Sequence, residues 1–369
     1  MTSHSLSARS GPAFDTTLLL VWLVILGLGT VMIASSAVAI SDAYIVKHGA
    51  FLLVSLLGFG LVAGVPLAVW EKCHRLAWLL AVALCLIVLI PGIGLEVNGA
   101  RRWIGLGAFS LQASEAAKFL VLVYLAGYLA RFDEHIADTA FALLRPVLMV
   151  GVVGLLVLIE PDFGSVVVLA VAACGMLFVA GARLRHFVML VSGLALLLAF
   201  VAFLQPYRMD RLITFTDPWS SAFGSGYQLT QALIAFGRGE LTGLGLGEGI
   251  QKLFYLPEAH NDFIFAVIAE ELGLVGALLV LLLFCLLVLR LLRIARRTLQ
   301  EQRLFAGYLV YGVALLLGVQ ALINLGVNTG VLPTKGLTLP FVSYGGNSLI
   351  VCCAMLGLVC RCELESADG

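Results

Sequence analysis

The chain runs apolar, again and again, for the length of a bilayer crossing, and that repetition limits its fold more than any other feature. A helix needs about 17–25 apolar residues to cross hydrocarbon. Reading with that measure gives about ten segments, of which the third and last are short: 17–40, 48–70, 76–92, 114–130, 143–159, 164–181, 187–204, 262–289, 305–327 and 345–359. The fifth and sixth are joined through Glu160-Pro161-Asp162, which makes those two a tight hairpin. Apolar residues make up 61% of the chain and charged residues 12%. A soluble domain carries about 25% charged residues, so no water-facing core of this length could bury so much apolar surface. The expected fold class is all-α: a polytopic integral membrane protein, one domain over residues 1–369, with about ten transmembrane helices. The first apolar run is longer than a signal-peptide core of about 7–15 residues, so it reads as an uncleaved span.

Overall charge is balanced, with 22 acidic and 22 basic residues, and so suggests no nucleic-acid partner. The eight cysteines include no Cys-x-x-Cys pair and no zinc spacing, and read as small apolar helix residues. Orientation follows from where the arginines fall. With the N-terminus cytoplasmic, 13 of the 22 basic residues lie in inside loops, five of them arginines between 290 and 303. An even span count then places both tails, 1–16 and 360–369, in the cytoplasm.

The outside segments are richer in chemistry than the inside ones. A structured extracytoplasmic loop is expected at about 205–261, because disorder does not suit its aromatic and apolar content. Four segments hold the candidates. GARRWIGLGAFSLQASEAAKF (99–119) sets Arg101 and Arg102 before an interfacial Trp103; adjacent arginines either anchor at an interface or clamp a phosphate. Glu115 and Lys118, three apart, share a helix face as a site or a helix-pinning pair. EPDFG (160–164) puts two carboxylates at a hairpin tip, as a cap or an acid/base site. GLGLGEGIQKLFYLPEAHNDFIFAVIAEELG (243–273) clusters Lys252, Glu258, His260 and Asp262 beside a glycine loop that is not a Walker motif. Glu258 and Asp262, four apart, face the same way, and Asp262 is expected at the membrane lip. Glu270 and Glu271 lie deeper. NLGVNTGVLPTKGLTLPFVSYGGNS (324–348) breaks helical pattern as a lid or re-entrant segment, with Lys335 as its lone cation and Ser343 as a further polar candidate.

Together these segments resemble the SEDS family of bacterial membrane glycosyltransferases, over most of the chain. The specific wording is GARRWIGLG, PDFG, PYRMDRLITFTDPW, LPEAHNDFIFAVIAEELG and NTGVLPTKGLTLPFVSYGGNS. The Pro-Thr-Lys-Gly-Leu-Thr-Leu-Pro run is more similar to the cell-division branch (FtsW) than to the elongation branch (RodA). Departures are Ala113 where many relatives have Pro, Glu248 where many have Asn, and Asn347 where many have Ser. The resemblance implies polymerisation of lipid II into glycan strands on the outer face of the plasma (inner) membrane, at the division septum. It implies Asp262 as the catalytic carboxylate, and matches Arg101, Arg102, Glu115, Lys118 and Asp162 to the family's charged motif positions. It also implies a class B penicillin-binding protein, an FtsI-like transpeptidase, as partner among other division proteins.

On that reading a carboxylate takes the proton of an attacking sugar hydroxyl, worth about 10²–10⁴-fold. Direct displacement converts an α linkage to a β linkage. Arginines, Lys118 or a divalent cation such as Mg²⁺ or Mn²⁺ could stabilise the leaving pyrophosphate. The competing readings are a lipid II flippase, for which Glu270 and Glu271 would line a deeper polar path, and a scaffold that only recruits division proteins.

Overall fold

The computed structural model describes residues 14–37, 42–97, 99–107, 109–136, 140–203, 214–334 and 336–367. Lys335, residues 204–213 at the start of the large loop and nearly all of the N-terminal tail lie outside the described residues.

All ten expected crossings are helices. They are α1 (Thr16–Ala37), α2 (Asp42–Gly64), α4 (His74–Leu89), α5 (Ala113–Ile136), α6 (Ala140–Ile159), α7 (Phe163–Val179), α8 (Leu184–Phe203), α10 (Ile264–Gln300), α11 (Leu304–Asn328) and α12 (Gly346–Ala367). Eight are long and apolar enough to cross a membrane; α4 and α7 are shorter, at 16 and 17 residues. A short α3 (Leu67–Lys72) follows Pro66, which cannot continue α2. The remaining helix, α9 (Tyr227–Gly239), belongs to the large loop.

Helix α11 is the hub, packing against α5, α7, α10 and α12, while α12 lies along α2 and α4 along α5. Its small residues allow this: a Cβ on Gly312 would meet Met176 and Leu122. At the other extreme, α8 has no buried residue and packs on α7. The start of α1 and the end of α12 meet at one pole. The Asp15 amide donates to Glu363 (3.2 Å), Arg290 pairs with Asp15 (3.4 Å), and Arg303 and Arg361 pair with Glu365 (3.8 and 2.7 Å).

Two features depart from the sequence expectation. The segment after α4 is a small antiparallel sheet rather than a loop: β1 (Gly94–Val97), β2 (Ala100–Leu106) and β3 (Phe109–Gln112), with β2 in the middle. The other is a break in α10 at Gly273 (φ 67°, ψ −164°), a conformation essentially confined to glycine. A Cβ there would sit 2.3 Å from the Gly243 nitrogen. The loop after α9 threads this break: Leu244 and Gly245 donate to the carbonyls of Glu270 and Glu271, and Leu274 and Val275 to those of Glu240 and Leu241. The exposed apolar stripe of α10 begins at Leu274 and ends at Leu289, whereas 264–271 are buried. Asp262 therefore stands beyond the buried first turns of α10, away from that stripe, and is itself half-buried.

Candidate functional site

A cavity of about 1330 Å³ opens at the end of the bundle opposite the start of α1 and the end of α12. One wall is polar and comes from four places: β2 and the start of α5, the α6–α7 hairpin, residues 258–263, and residues 333–348. The lining also has an apolar part from α6, α7 and α8, which includes Leu158, Ile159, Val167, Leu198, Ala199 and Ala202. Four carboxylates line the space: Glu115, Asp162, Glu258 and Asp262, with Arg102 beside them.

Asp262 lies just before α10. Its carboxylate faces Gly336, where an added Cβ would be 3.2 Å from Oδ2. Glycine at that position lets the 333–339 segment pass against the carboxylate. Glu258 also lines the cavity, with Oε2 accepting from Asn261 Nδ2 at 2.6 Å. Glu258 (φ 55°) and Phe341 (φ 64°) both hold left-handed backbone, an unfavourable conformation that here lies at the site.

The two arginines are split by the strand they sit on, because successive strand residues point to opposite faces. Arg101 turns to β1 and pairs with Glu96 at 3.0 Å, away from the cavity lining. Arg102 donates from Nε to the Glu160 carbonyl (2.9 Å) and from Nη2 to the Pro161 carbonyl (2.7 Å), and lines the cavity. It thus caps the hairpin. The pair does not act as one clamp.

Asp162 joins both of its readings. It caps α7, accepting from Ser165 N (3.1 Å) and Ser165 Oγ (2.8 Å), and also accepts from Ser114 Oγ on α5 at 2.7 Å. Glu160 is fully buried, faces the Cys85 thiol, and neither carboxyl oxygen meets a sound hydrogen bond among the described residues. Burial pushes its carboxyl up to about 8; the Asp162 charge adds to this, and Cys85 and Arg102 oppose it.

Glu115 and Lys118 form a buried pair at 2.8 Å. Lys118 also donates to Gln320 Oε1 (2.9 Å), and Gln320 Nε2 reaches the Thr338 carbonyl (3.1 Å). The pair thus ties α5 through α11 to the 333–339 segment. Sequence reading missed Gln320; a lone glutamine in an apolar helix was the available signal.

Lys252 lies elsewhere. Its ammonium donates to Glu271 Oε1 (2.5 Å), Gly247 O (2.7 Å) and Ser35 Oγ (2.8 Å), with the side chain 4% exposed. Glu270 accepts from the Ile250 and Gln251 amides and pairs with Arg238 at 3.4 Å. These charges hold the glycine loop to α1 and α10, so Glu270 and Glu271 form a clamp and not a polar path. His260 packs its ring between Tyr44 and Tyr344, with centroids 5.4 and 5.6 Å away. Its burial pulls the imidazole below its usual range, against the Glu258 charge. Ser343 accepts from the Leu339 amide and donates to the Asn261 carbonyl, both at 2.7 Å. His260 and Ser343 frame the site from behind its lining.

No group of three or more His, Cys, Asp and Glu side chains converges as a metal cage among the described residues. Single carboxylates on the cavity wall suit a cation such as Mg²⁺, which is held by one or two carboxylates together with substrate phosphates.

The chain resembles known proteins over nearly its whole length. It is 51% identical to the probable peptidoglycan glycosyltransferase FtsW of Nitrosococcus halophilus, covering 97% of this chain and 94% of the relative. It is 47% identical to the protein of the same name from Coxiella burnetii, covering 96% and 98%. Among solved structures, a chain from work on the structural coordination of polymerization and crosslinking by a peptidoglycan synthase complex superposes with a TM-score of 0.81 at 30% identity, covering 96% and 99%. The crystal structure of the Thermus thermophilus rod shape determining protein RodA gives 0.71 at 30% identity, covering 95% and 97%. A family described as "Cell cycle protein" (FTSW_RODA_SPOVE) matches residues 15–367, and the chain belongs to that family.

Proposed function

We propose that Asp262 is the general base in polymerisation of lipid II by this chain. The chain is a peptidoglycan glycosyltransferase of the division branch, an integral membrane enzyme. The observation that carries the assignment is the cavity itself. It presents Asp262 on a polar wall and has an apolar part that includes the lipid-exposed helix α8. A sugar head group fits the polar side while a polyprenyl tail runs along α8 into the bilayer.

The acceptor hydroxyl loses its proton to the Asp262 carboxylate as its oxygen attacks the anomeric carbon. The bond to the pyrophosphate breaks on the opposite side, and the electron pair leaves with the phosphate. Arg102 supplies a fixed positive charge nearby. A divalent cation, where bound, would neutralise the pyrophosphate, with Glu258 on the cavity wall as the carboxylate left to hold it.

The arginine-rich pole, where the start of α1 meets the end of α12, is the cytoplasmic side on this reading, which puts the cavity outside. A class B transpeptidase is the proposed partner, in keeping with the crosslinking named for the solved complex. Septal placement follows from the division branch.

The test is purified full-length protein with lipid II. Asp262→Asn keeps fold and insertion and loses about 10²-fold or more in polymerisation rate. Wild-type rate in that variant would overturn the assignment. Lipid II scored for translocation in the same proteoliposomes separates polymerase from flippase.

A further inference from the structure

Asp262 sits on a turn ahead of α10, and its own helix does little to hold it. The α10 N-cap, Phe263, has no side chain that can cap. Two asparagines of α11 do the work instead. Asn324 and Asn328 lie one turn apart on one face, and both are essentially buried. Both aim their amide N–H groups at one atom, the Asp262 carbonyl oxygen, at 2.9 and 2.8 Å. Each amide makes a second connection. Asn328 Oδ1 accepts from the Ala266 amide in the first turn of α10 (3.1 Å). Asn324 Nδ2 also donates to the Leu337 carbonyl (2.7 Å), in the segment whose Gly336 lies against the Asp262 carboxylate. The amide orientations are fixed by these partners, since each nitrogen must meet a carbonyl and the Asn328 oxygen must meet an N–H.

Resting on the assignment of Asp262 as base, we propose that Asn324 and Asn328 are positioning residues that set the base against its substrate. Asn328 locks the Asp262 carbonyl to the start of α10, and Asn324 locks it to the 333–339 segment. The carboxylate is then fixed relative to both walls that touch it. Neither asparagine lines the cavity, so neither touches substrate. A displacement of about 1 Å in a reacting group costs on the order of 10²-fold in rate. The loss should fall on kcat, with substrate affinity kept.

The two functions of Asn328 can be separated by one substitution. Asn328→Asp keeps an acceptor for the Ala266 amide. It replaces the donor facing the Asp262 carbonyl with an oxygen. Asn328→Leu removes both bonds. Wild type, Asp262→Asn, Asn328→Asp, Asn328→Leu and Asn324→Leu are compared as full-length proteins in lipid vesicles, for kcat and KM on lipid II and for thermal unfolding. The expected result is a fall in kcat of about 10–100-fold in all three asparagine variants. KM stays within about threefold, and each variant is assayed below its own unfolding temperature, because an oxygen at the buried Asn328 Nδ2 position would face the Asp262 and Asn324 carbonyls and lower stability. Wild-type kcat in both Asn324→Leu and Asn328→Leu, folded at the assay temperature, would overturn the proposal. A rise in KM matching the loss in kcat/KM would also overturn it. The Asp262→Asn arm separates the two claims: polymerisation there at wild-type rate sinks the base assignment without reference to either asparagine, and with it the positioning role.

Discussion

At the scale of single residues, burial sorts the charged groups into those that face the cavity and those that hold it together. Lys252 and Glu271 belong to the second kind. Removing one partner of a buried pair leaves an uncompensated charge and costs about 3–5 kcal/mol, whereas replacing both by apolar groups is often near neutral. Lys252→Met or Glu271→Met alone should therefore lower the unfolding temperature in detergent sharply. The double variant should recover most of the loss, because Ser35 and the Gly247 carbonyl lose only hydrogen bonds. Glu160 gives a pH signature. Its carboxyl titrates near 4.5 when unfolded and at about 8 when folded. Between those values the folded state holds the extra proton, so this group's contribution is complete below pH 4.5 and is lost as pH rises through 8. Glu160→Gln removes that slope. Unfolding temperatures at pH 5 and pH 8.5 should differ less in the variant than in the wild type, and an unchanged difference would contradict the burial argument.

At the scale of elements, local sequence and tertiary context contribute unequally. The ten helices were legible because each had to bury its own backbone hydrogen bonds in lipid, and an apolar run of the right length has no other solution. The sheet at 94–112 was not legible, because its strands are short and glycine-rich and it lies between two helices that pair with each other. Its consequence reached the site, since strand alternation sent Arg101 to Glu96 and Arg102 to the hairpin. The break in α10 was equally hidden. A glycine in an apolar helix reads as a minor weakness, but Gly273 admits the loop backbone at a distance no Cβ could tolerate. Gly273→Ala should lower the yield of monodisperse protein and its unfolding temperature, through about 1–3 kcal/mol of backbone strain plus the clash. Gly151→Ala in α6, where nothing lies within 4 Å, should be neutral or slightly stabilising by about 0.5–1 kcal/mol. Equal effects of the two would mean that the loop does not thread the break.

At the scale of the whole molecule, the cavity is made by elements far apart in sequence. β2, the α6–α7 hairpin, α8, the turn before α10 and the 333–348 segment each contribute part of its wall. Filling the apolar side should obstruct the lipid tail and leave Asp262 untouched. Ala199→Trp and Ala202→Trp are therefore expected to raise KM for lipid II several-fold with little change in unfolding temperature. A polymerisation assay with a short-chain lipid II analogue should show a smaller defect, and equal defects on long and short tails would argue against a tail path along α8. By itself, the sequence determined the membrane, the number of crossings, the family wording and the residue types at the site, because these follow from segment length and local motif. Only the tertiary structure decided which charges share a cavity. It sent Lys252, Glu270 and Glu271 into a clamp, set Asp262 on the cavity wall, and brought Asn324 and Asn328 to its carbonyl. Those choices depend on contacts between helices distant along the chain, and spacing within any one motif carries no information about them.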